Sequence, residues 1–442
     1  MWLHHLTPSD YQALIDRGWR RSGLYCYKPV LETSCCPAYT IRCHALDFKP
    51  SKSQKRVMKR FANFLKTGDI PKASARSFPP CSSKKQASLP YGQSSMIHTA
   101  SSSRKGSSSG TVIASSARVE EDKAKCVASQ KKPLELLLRK GKYKRRMRKM
   151  EKLKAKGIDP ALWVKKVPPV KSVEDFLGMA NGEPSWKHKL TVRLICASPL
   201  YKEFQTTFDD SFRLYRKYQM LIHRDDCENV TEGQFKRFLC KSPFLVEEVD
   251  HADHPGFGTF HYQFYLDGRL VAVSVLDLLP ACVSSKYFYY DPDFHFLSLG
   301  VYSALKEIEL TRKLSRITPS VRFYYMGYYI HSCAKMRYKG AFRPSDLLCP
   351  ETFDWFPIED CIGMLEKGKQ YRFAPDNVPA NSEPVSLNDA LVFYKGRNDD
   401  FKFVRFGRYR LENKVDGHLL SKLSEYACLV GKSVAESMAI VL

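Results

Sequence analysis

Two segments in the C-terminal half of the sequence contain residues of types and spacing suited to chemistry. Asp277 interrupts the apolar run 271–279. A carboxylate there either accepts hydrogen bonds from backbone N–H groups or binds a guanidinium through both oxygens. Residues 297–300, Leu-Ser-Leu-Gly, end a loop just before a predicted helix. The free N–H groups and the dipole at the start of a helix favour phosphate binding.

Tyrosines and cations form a second group of candidates. Tyrosines recur along 287–290 and 324–329, so some of them must lie in the core while others face a site. Three cations follow the second run at Lys335, Arg337 and Lys339. Such cations are either solvated charges or partners for an anion.

The cysteines suggest at most a weak metal site. Cys35 and Cys36 are adjacent, and Cys43 and His44 follow shortly after. Adjacent thiols complete a site only when further ligands come from elsewhere. The sequence has no Cys-x-x-Cys, no His-Glu-x-x-His, no Gly-x-Ser-x-Gly and no phosphate loop. These absences argue against a zincin, a serine hydrolase with a Gly-x-Ser-x-Gly motif and a P-loop enzyme.

Hydrophobic spacing predicts the elements that hold these residues. A helix at 211–223 precedes a hairpin at 259–276 that turns at Asp267-Gly268, and Asp-Gly between apolar runs is a strong hairpin signal. Further strands are predicted at 189–195, 286–290 and 321–330, with a helix at 299–314. Helix, hairpin, strand, helix, strand is the order of an N-acetyltransferase-like (GNAT-type) acyltransferase core. The sequence therefore predicts an α+β fold, with this catalytic domain at 186–375 and a tail at 376–442.

The front of the chain predicts a small cysteine-containing domain at 1–70. Ser9 or Asp10 is expected to cap a short helix that Gly18 ends. Residues 51–68 predict an amphipathic helix whose polar face carries lysine and arginine.

Residues 71–185 predict a disordered, basic linker, because serine, lysine and proline dominate its first part. Within it, residues 131–156 hold 13 basic and 2 acidic side chains. Such a run is either a nuclear-localisation signal or an arm that binds nucleic-acid phosphates.

Charge is distributed unevenly along the 442 residues. The chain has 71 lysines and arginines against 46 acidic residues, a net charge of +25. Residues 1–185 carry 37 of these cations with 14 acids, whereas 186–442 are nearly balanced, with 34 and 32. No apolar run reaches the roughly 18 residues of a membrane span, and the start lacks a secretory signal. We expect a cytoplasmic and nuclear protein with no membrane association, whose 14 cysteines are mostly reduced.

Two long stretches then point to a family. Residues 272–310, which include SSKYFYYDPDFHFLSLGVYSALKEIEL, and 324–350, YYMGYYIHSCAKMRYKGAFRPSDLLCP, closely resemble the C-terminal domain of eukaryotic arginyl-tRNA–protein transferases, the arginyltransferases of the N-degron pathway. YRKYQMLIH and FKRFLCKSP resemble the same family's upstream helix and loop. DYQALIDRGWRRSGLYCYKP, TSCCPAYTIRC and FKPSKSQKRVMKRF resemble its N-terminal domain. The linker is unmatched.

The resemblance implies a reaction and its partners. Members transfer arginine from arginyl-tRNA to the α-amine of proteins that begin with Asp, Glu or oxidised Cys, and the new N-terminal arginine is read by ubiquitin ligases. The α-amine has an ordinary pKa of about 7.7–8.0, so much of it is neutral near pH 7 and positioning can supply much of the acceleration. The leaving 3′-oxygen needs a proton and the oxyanion needs donors. The oligomeric state is left open.

Under this resemblance the candidate residues acquire roles. Asp277 would orient or deprotonate the amine, or bind the arginyl guanidinium, with Glu307 and Glu309 as second candidates that otherwise lie on a helix surface. Tyr289 and Tyr328 would stack on the terminal adenine or move a proton. The acceptor's carboxylate requires a cation, and the candidates are Arg216, Lys217, Lys335, Arg337 and Lys339.

The remaining candidates would bind tRNA phosphates. Those at the front are Arg20, Arg21, Lys52, Lys55, Arg56, Lys59 and Arg60. The acceptor-end phosphates would bind at Ser298, Leu299 and Gly300.

The family's metal site is incomplete in this sequence. Members carry a Cys-x-x-Cys a few tens of residues before the Cys-Cys pair, and these cysteines form an iron–sulfur or zinc site. The printed sequence has Cys35-Cys36 without the Cys-x-x-Cys. We therefore expect a form shortened at its start, with no certain cofactor, a partial metal site at Cys35 and Cys36 at most, and Cys26 and Cys43 as substitute ligands.

Two other functions stay open at this point. An acetyl-CoA-dependent N-acetyltransferase would share the core, but its usual Gln/Arg-x-x-Gly-x-Gly loop is absent, since 297–302 contains a single glycine. A non-catalytic RNA-binding protein would use the basic front half.

Overall fold

The structure is a computed structural model of the chain. It describes residues 1–31, 33–70, 144–145, 147–152, 155–157, 171–197, 201–244, 247–368, 371–380, 385–396 and 400–442. The chain divides into two compact units, Met1–Pro79 with Lys171–Leu442, and Pro80–Val170. In the second unit, residues 144–145 and 147–152 are helical. Residues 71–143 of the linker predicted at 71–185 lie outside the described residues, as does the first part of the basic run at 131–156.

The first unit contains α-helices and strands in mixed order. Its helices are α1 (Pro8–Ile15), α2 (Lys52–Thr67), α3 (Val173–Leu177), α4 (Lys202–Tyr218), α5 (Glu232–Phe235), α6 (Leu299–Ile317), α7 (Ala334–Arg337), α8 (Ile358–Leu365), α9 (Phe406–Glu412), α10 (Gly417–Val430) and α11 (Lys432–Ser437). Its strands are β1 (Arg20–Ser22), β2 (Tyr25–Tyr27), β3 (Tyr39–His44), β4 (Leu190–Cys196), β5 (Gly258–Leu266), β6 (Arg269–Leu279), β7 (Cys282–Tyr290), β8 (Phe323–Tyr329), β9 (Ser345–Leu348), β10 (Trp355–Pro357), β11 (Leu391–Lys395), β12 (Phe401–Arg405) and β13 (Ile440–Val441). The predicted α+β class is confirmed.

Local sequence signals explain several element ends. Helix α2 begins with a capping box between Ser51 and Gln54 and ends at Gly68, which adopts a left-handed φ of 73°. Helix α1 is capped by Thr7, whose side chain accepts a hydrogen bond from the Asp10 backbone. The predicted caps at Ser9 and Asp10 are therefore wrong, because Pro8 already occupies the first helical turn.

Eight strands form the main sheet, in the order β10-β9-β3-β8-β7-β6-β5-β4. The predicted hairpin is confirmed as β5 and β6, which pair antiparallel from Gly258↔Leu278 to Leu266↔Arg269. Strand β3 comes from the front of the chain and lies between β8 and β9. The prediction of a separate domain at 1–70 is therefore corrected, since this strand completes the main sheet.

Helices cover both faces of the sheet. Phe61 and Leu65 of α2 pack with Leu305 and Ile308 of α6 in the larger core cluster. Another cluster joins α4 to buried residues of β6 and β7, which include Val273, Val275 and Tyr289. None of the helices in the described part of the chain combines the length and apolar character needed to cross a bilayer.

The boundaries predicted for the linker and the tail also need correction. Helix α3 buries Val173, Phe176 and Leu177 in the larger cluster, so the folded unit resumes well before residue 186. The tail is folded too. Its strands form a small sheet in the order β12-β11-β13, and Val430 and Val434 pack against the cluster that holds Leu14 of α1.

Candidate active site

A gap opens in the main sheet between two parallel strands. Strands β7 and β8 pair only from Cys282↔Phe323 to Ser284↔Tyr325. Beyond these residues β7 continues to Tyr290 and β8 to Tyr329, each paired only with its outer neighbour. Backbone groups on the facing edges are therefore left without sheet partners, which favours binding of a polar ligand.

Each of the two strands carries a β-bulge where the gap begins. The pairing of β6 with β7 shifts between Val275 and Leu276, which leaves Lys286 as the extra residue on β7. The pairing of β3 with β8 shifts beside Gly327, whose φ of 69° suits glycine. Bulges bend strands and re-aim side chains, so the two bulges account for the separation of β7 and β8.

Helix α6 connects the two parallel strands and begins at the edge where they separate. In such a unit the helix runs back along the strands, so its N-terminus lies at their C-terminal ends. No side chain caps α6, and Ser298 precedes it with a left-handed φ of 54°. Leu299 has a buried side chain, so only its backbone is available to a ligand. The first N–H groups of α6 can therefore receive an anion.

The basic helix α2 lies beside this helix start. The Arg60 guanidinium donates to Ser298 Oγ at 2.7 Å, and the Phe61 ring stacks on Tyr302 with centroids 4.0 Å apart. The structure therefore brings together two segments that were predicted separately to bind phosphate. The side chains of Lys52, Arg56, Lys59 and Arg60 are exposed, while Lys55 is half-buried.

Two lysines, one on β7 and one shortly after β8, have ammonium groups that are more acidic than that of an exposed lysine. Lys286 donates to the Phe238 carbonyl at 3.0 Å, and burial, with the nearby Arg21 charge, lowers its pKa to about 7. Lys339 donates to the Tyr328 carbonyl at 2.8 Å, and burial, with the Arg20 charge, lowers its pKa to about 7. Both amines can therefore exchange protons near neutral pH.

The carboxylate of Asp277 forms an ion pair with Arg21. Arg21 donates to it through Nε at 2.9 Å and through a terminal nitrogen at 2.5 Å, and Thr259 Oγ1 donates at 2.9 Å. Both charged side chains are buried. The structural interpretation of Asp277 fits these contacts, because both of its oxygens are already used. The prediction that Arg21 faces tRNA phosphates is also corrected, because its guanidinium is buried and ion-paired.

Arg20 is also buried rather than presented to phosphates. Its guanidinium donates to the Trp19 carbonyl at 2.6 Å and the Gly327 carbonyl at 3.3 Å, and lies 5.2 Å from the Tyr328 ring centroid. The prediction that Arg20 faces tRNA is corrected, because this side chain instead holds a bulged strand carbonyl beside the gap.

The two predicted phenols are engaged within the fold. Tyr289 is fully buried and hydrogen-bonded to Ser211 at 2.7 Å, and burial raises its pKa well above the ordinary value. Tyr328 donates to the Gly18 carbonyl at 2.8 Å, and burial raises its pKa as well. The prediction that Tyr289 stacks on a base or transfers a proton is corrected, because this phenol does not reach the surface.

The cations predicted for the acceptor carboxylate occupy different positions. Lys217 is held by Asp291 at 2.6 Å and Asp293 at 2.7 Å, so its charge is already neutralised. Arg216 is exposed and donates to the Cys227 carbonyl at 3.5 Å. The side chains of Lys335 and Arg337 are exposed on α7, and Lys339 lies beside the gap.

Glu307 is a buried carboxylate next to the start of the gap. It accepts hydrogen bonds from Ser274 and Ser303, and from the Tyr324 phenol at 2.7 Å. It makes no salt bridge within the described part of the chain. The expectation of a surface position is wrong for Glu307 and for Glu309, which is buried and paired with Lys306.

The cysteines present do not fit a complete metal site. Cys35 and Cys36 are exposed, whereas burial raises the pKa of Cys26 and Cys43 to about 12 and keeps these thiols protonated. Metal ligation requires the thiolate. Among the residues that the structure describes, no group of three or more His, Cys, Asp and Glu side chains could hold a metal ion.

The residues that shape the gap were not among the candidates predicted from the sequence. An isolated glycine within a strand pattern indicates a bulge, so Gly327 was an available signal. Lys286 is the one charged residue of β7, which marked it as unusual. The pairing of Asp277 with Arg21 had no local signal, because the two residues are 256 positions apart.

Comparison with known proteins identifies the family of the chain. The family model described as "Arginine-tRNA-protein transferase, C terminus" matches residues 210–349, and "Arginine-tRNA-protein transferase, N terminus" matches residues 1–56. The chain is 38% identical to "Arginyl-tRNA--protein transferase 1" of Drosophila melanogaster, covering 100% of this chain and 94% of that protein. It is 33% identical to "Arginyl-tRNA--protein transferase 2" of Arabidopsis thaliana, covering 91% of this chain and 78% of that protein.

A bacterial relative matches over a shorter range. "Aspartate/glutamate leucyltransferase" of Pseudomonas putida is 35% identical over 164 residues, which are 37% of this chain and 59% of that protein. Among solved structures, a domain from Agrobacterium fabrum overlaps 32% of this chain with a TM-score of 0.18 and 11% identity. So weak a likeness carries no conclusion about the fold.

These matches define the class of the protein as an aminoacyltransferase. The identity and coverage extend to the whole chain rather than to the catalytic half alone. The chain belongs to the arginyl-tRNA–protein transferase family, as the resemblance implied.

Proposed function

We propose that this protein transfers arginine from arginyl-tRNA to the N-terminal α-amine of proteins that begin with Asp, Glu or oxidised Cys, within the gap between β7 and β8. The product carries an N-degron for ubiquitin-dependent degradation. The observation that carries the proposal is that this gap, the uncapped start of α6 and the cations of α2 share one edge of the sheet. The parallel β7–α6–β8 unit with its separated strands also supports an N-acetyltransferase-like core.

The donor would lie with its phosphates at the start of α6. The backbone N–H groups of Leu299 and Gly300 and the guanidinium of Arg60 provide a positive edge there. The exposed cations of α2 extend this edge toward the rest of the tRNA. Because phosphate contacts release counterions, binding should weaken with salt.

Glu307 is the carboxylate we assign to the arginyl guanidinium. Both oxygens of Asp277 are used by Arg21 and Thr259, whereas the partners of Glu307 among the described residues are hydroxyl groups. The Tyr324 phenol covers Glu307 from the strand that borders the gap, so its displacement would admit the guanidinium. A carboxylate that pairs with a guanidinium explains a preference for arginine over a neutral side chain.

Lys339 is the cation we assign to the acceptor's carboxylate. Its amine lies next to Gly327, with Nζ 3.9 Å from where a β-carbon of that residue would be. A bound carboxylate would favour the charged amine and offset the burial that lowers its pKa. The name of the Pseudomonas putida relative supports acidic acceptors for the family's common catalytic region.

The chemistry is the aminolysis of an ester. The neutral α-amine attacks the arginyl carbonyl carbon, a C–N bond forms, the bond to the tRNA 3′-oxygen breaks, and a proton passes from the amine to that oxygen. Lys286, whose pKa is lowered to about 7, is the group we assign to this proton transfer. Since the cysteines do not fit a complete metal site, we assign no step to a metal.

Localisation to the cytoplasm and nucleus is part of the proposal. It rests on the basic run at 131–156, whose 13 cations are typical of a nuclear-localisation signal.

A single assay tests the proposed function. The protein is incubated with labelled arginine, tRNA, arginyl-tRNA synthetase and a peptide that begins with Asp, and the control is the same peptide with an acetylated α-amine. We expect label on the first peptide and none on the control. Acylation by acetyl-CoA without arginine transfer would instead identify an N-acetyltransferase. RNA binding with no transfer of either group would identify a non-catalytic RNA-binding protein.

A further inference from the structure

A pair of aromatic side chains lies beside the start of α6. Tyr290 ends β7, and His295 belongs to the loop that leads from this strand to the helix. The Tyr290 phenol oxygen and His295 Nδ1 are 3.0 Å apart, so a hydrogen bond joins the edges of the two rings. His295 is exposed and Tyr290 is half-buried. A ligand at this edge of the sheet can therefore reach the pair.

The two rings lie side by side in nearly one plane. Their planes differ by 25°, and their centroids are 6.4 Å apart. Rings that lie face to face come much closer, as Phe61 and Tyr302 do with centroids 4.0 Å apart. Because a hydrogen bond joins their edges, Tyr290 and His295 form one flat surface that is two rings wide. Such a surface suits stacking by another flat ring.

This flat surface adjoins the proposed phosphate site. Phe288 lies on the same face of β7 as Tyr290, with the two ring planes 21° apart. The Phe288 ring also packs against the start of α6, since a β-carbon at Gly300 would be 3.6 Å from it. The His295 carbonyl accepts a hydrogen bond from the Ser298 backbone N–H at 3.1 Å. The rings and the first N–H groups of α6 therefore belong to one continuous surface.

The acidic residues of this loop do not oppose an anionic ligand. Asp291 is buried and paired with Lys217 and Arg269. Asp293 is paired with Lys217 as well. The Arg60 guanidinium adds a positive charge at the start of α6. A nucleotide can therefore place its phosphate at the helix start and its base on the neighbouring rings without meeting an unpaired carboxylate of this loop.

We propose that Tyr290 and His295 bind the terminal base of the donor tRNA by stacking. The 3′ end of a tRNA is single-stranded, and proteins hold unpaired bases by stacking them on tyrosine and histidine rings. The inference rests on the proposed function, because it assigns a site to the last base of the same donor. An acceptor polypeptide that packs a side chain on these rings is the other occupant that the test must separate.

The test compares two tRNAs that differ only in their last base. One is uncharged arginine tRNA with its natural 3′-adenosine, and the other ends in an abasic nucleotide that keeps the phosphate and the ribose. Filter binding to the full chain measures the affinity of each, and the ratio of the two affinities isolates the base. Since neither tRNA carries an amino acid, this ratio does not depend on arginine transfer.

The variants separate a flat ring from apolar area. Tyr290→Leu/His295→Leu removes both rings and keeps apolar side chains, whereas Tyr290→Phe/His295→Phe keeps both rings. Phe401→Leu is the control, because it removes a ring that is 65% exposed on β12. Thermal unfolding of each variant verifies that the fold is retained. His295→Leu alone repeats the test at an exposed position, in case the double variant does not fold.

We expect the unchanged protein to bind the adenosine-ended tRNA about tenfold more tightly than the abasic tRNA. The leucine variant should bring this ratio close to one, while the phenylalanine variant and Phe401→Leu should keep it. A ratio near one in the unchanged protein would overturn the proposal. Equal losses in the leucine and phenylalanine variants would overturn it too, since stacking would then not be required.

Two further outcomes distinguish this proposal from its neighbours. If the leucine variant keeps the ratio and raises KM for an Asp-initiated peptide, the proposal is overturned and the rings belong to the acceptor. If the ratio changes as expected but the unchanged protein transfers no labelled arginine, the stacking site is supported while the proposed function fails.

Discussion

Arg21 and Asp277 form a buried ion pair that joins the front of the chain to the middle of the main sheet. Arg21 is the central residue of β1, and Asp277 lies near the end of β6. Two nitrogens of the guanidinium donate hydrogen bonds to the two carboxylate oxygens. Arg21 also donates to the Gly23 carbonyl at 2.8 Å and to Thr259 Oγ1 at 2.7 Å, so all three of its guanidinium nitrogens are used. The pair explains why the N-terminal segment and the catalytic sheet form one unit.

Breaking this pair should destabilise the whole first unit. Asp277→Ala leaves a buried guanidinium without its partner, and we expect it to lower the free energy of unfolding by about 3–5 kcal/mol. Urea denaturation followed by tryptophan fluorescence measures this loss. The double variant Arg21→Met/Asp277→Leu should recover much of it, because no charge is left unpaired. If Asp277→Ala unfolded at the same urea concentration as the unchanged protein but transferred no arginine, Asp277 would be catalytic.

The cations of α2 should contribute to tRNA affinity through phosphate contacts. Lys52→Glu/Arg56→Glu should weaken tRNA binding and make the slope of log affinity against log salt concentration shallower by roughly 2, one for each lost contact. Filter binding at several salt concentrations measures both quantities. Lys241→Glu/Lys432→Glu changes the net charge equally at exposed sites elsewhere and should leave the slope unchanged. Equal effects of the two double variants would show that only net charge matters.

Lys286 should make stability depend on pH in a defined direction. Burial lowers its pKa to about 7 in the folded chain, while an unfolded lysine keeps its ordinary pKa near 10.4. Between these values the unfolded chain binds the extra proton, so the contribution of Lys286 to the free energy of unfolding rises with pH. Lys286→Met should therefore be more stable than the unchanged protein below pH 7, and this advantage should shrink toward pH 10. Chemical denaturation across this range measures it.

The same variant tests the proton-transfer role of Lys286. We expect the single-turnover rate of arginine transfer to rise through pH 7 in the unchanged protein and to lose that rise in Lys286→Met. Exposed Lys241→Met serves as the control. Parallel pH profiles for the unchanged protein and Lys286→Met would assign the proton transfer to another group.

Glu307 should determine the preference for an arginyl donor. Glu307→Gln removes the charge and keeps the shape, so we expect kcat/KM for arginyl-tRNA to fall roughly 10- to 100-fold, the effect of a lost hydrogen bond to a charged group. The affinity for uncharged tRNA should stay the same. Ser303→Ala, which removes one hydroxyl partner without changing charge, should have a smaller effect on transfer. A Glu307→Gln enzyme with normal kcat/KM would show that Glu307 is a structural carboxylate.

The sequence predicted elements with strong local signals and missed pairings between distant segments. The Asp267-Gly268 hairpin and helices α2 and α6 were found because their turn, cap and periodic apolar residues lie within a few positions of each other. The insertion of β3 between β8 and β9 was missed, since its partners lie about 300 residues later. Contacts at such separations depend on tertiary packing, which single-sequence periodicity does not encode.

The candidate site was predicted only in part, because some of its contacts also join distant segments of the chain. The start of α6 and the cations of α2 were recognisable from local sequence, and the structure added their contact through Arg60 and Ser298. Asp277 was assigned to the substrate because its partner was unknown, and the buried Arg21 then explained it. The gap itself arises from two bulges on different strands, so no single segment could indicate it.

The most direct test of the account is to locate the 3′ end of the bound donor. A tRNA with a photoreactive 3′-terminal adenosine, charged with arginine, is cross-linked to the full chain, and the labelled peptides are identified by mass spectrometry. We predict labels in the strands that border the gap, at 285–290 or 326–329, and their loss when unlabelled arginyl-tRNA competes. Competed labelling confined to residues far from β7 and β8 would contradict it.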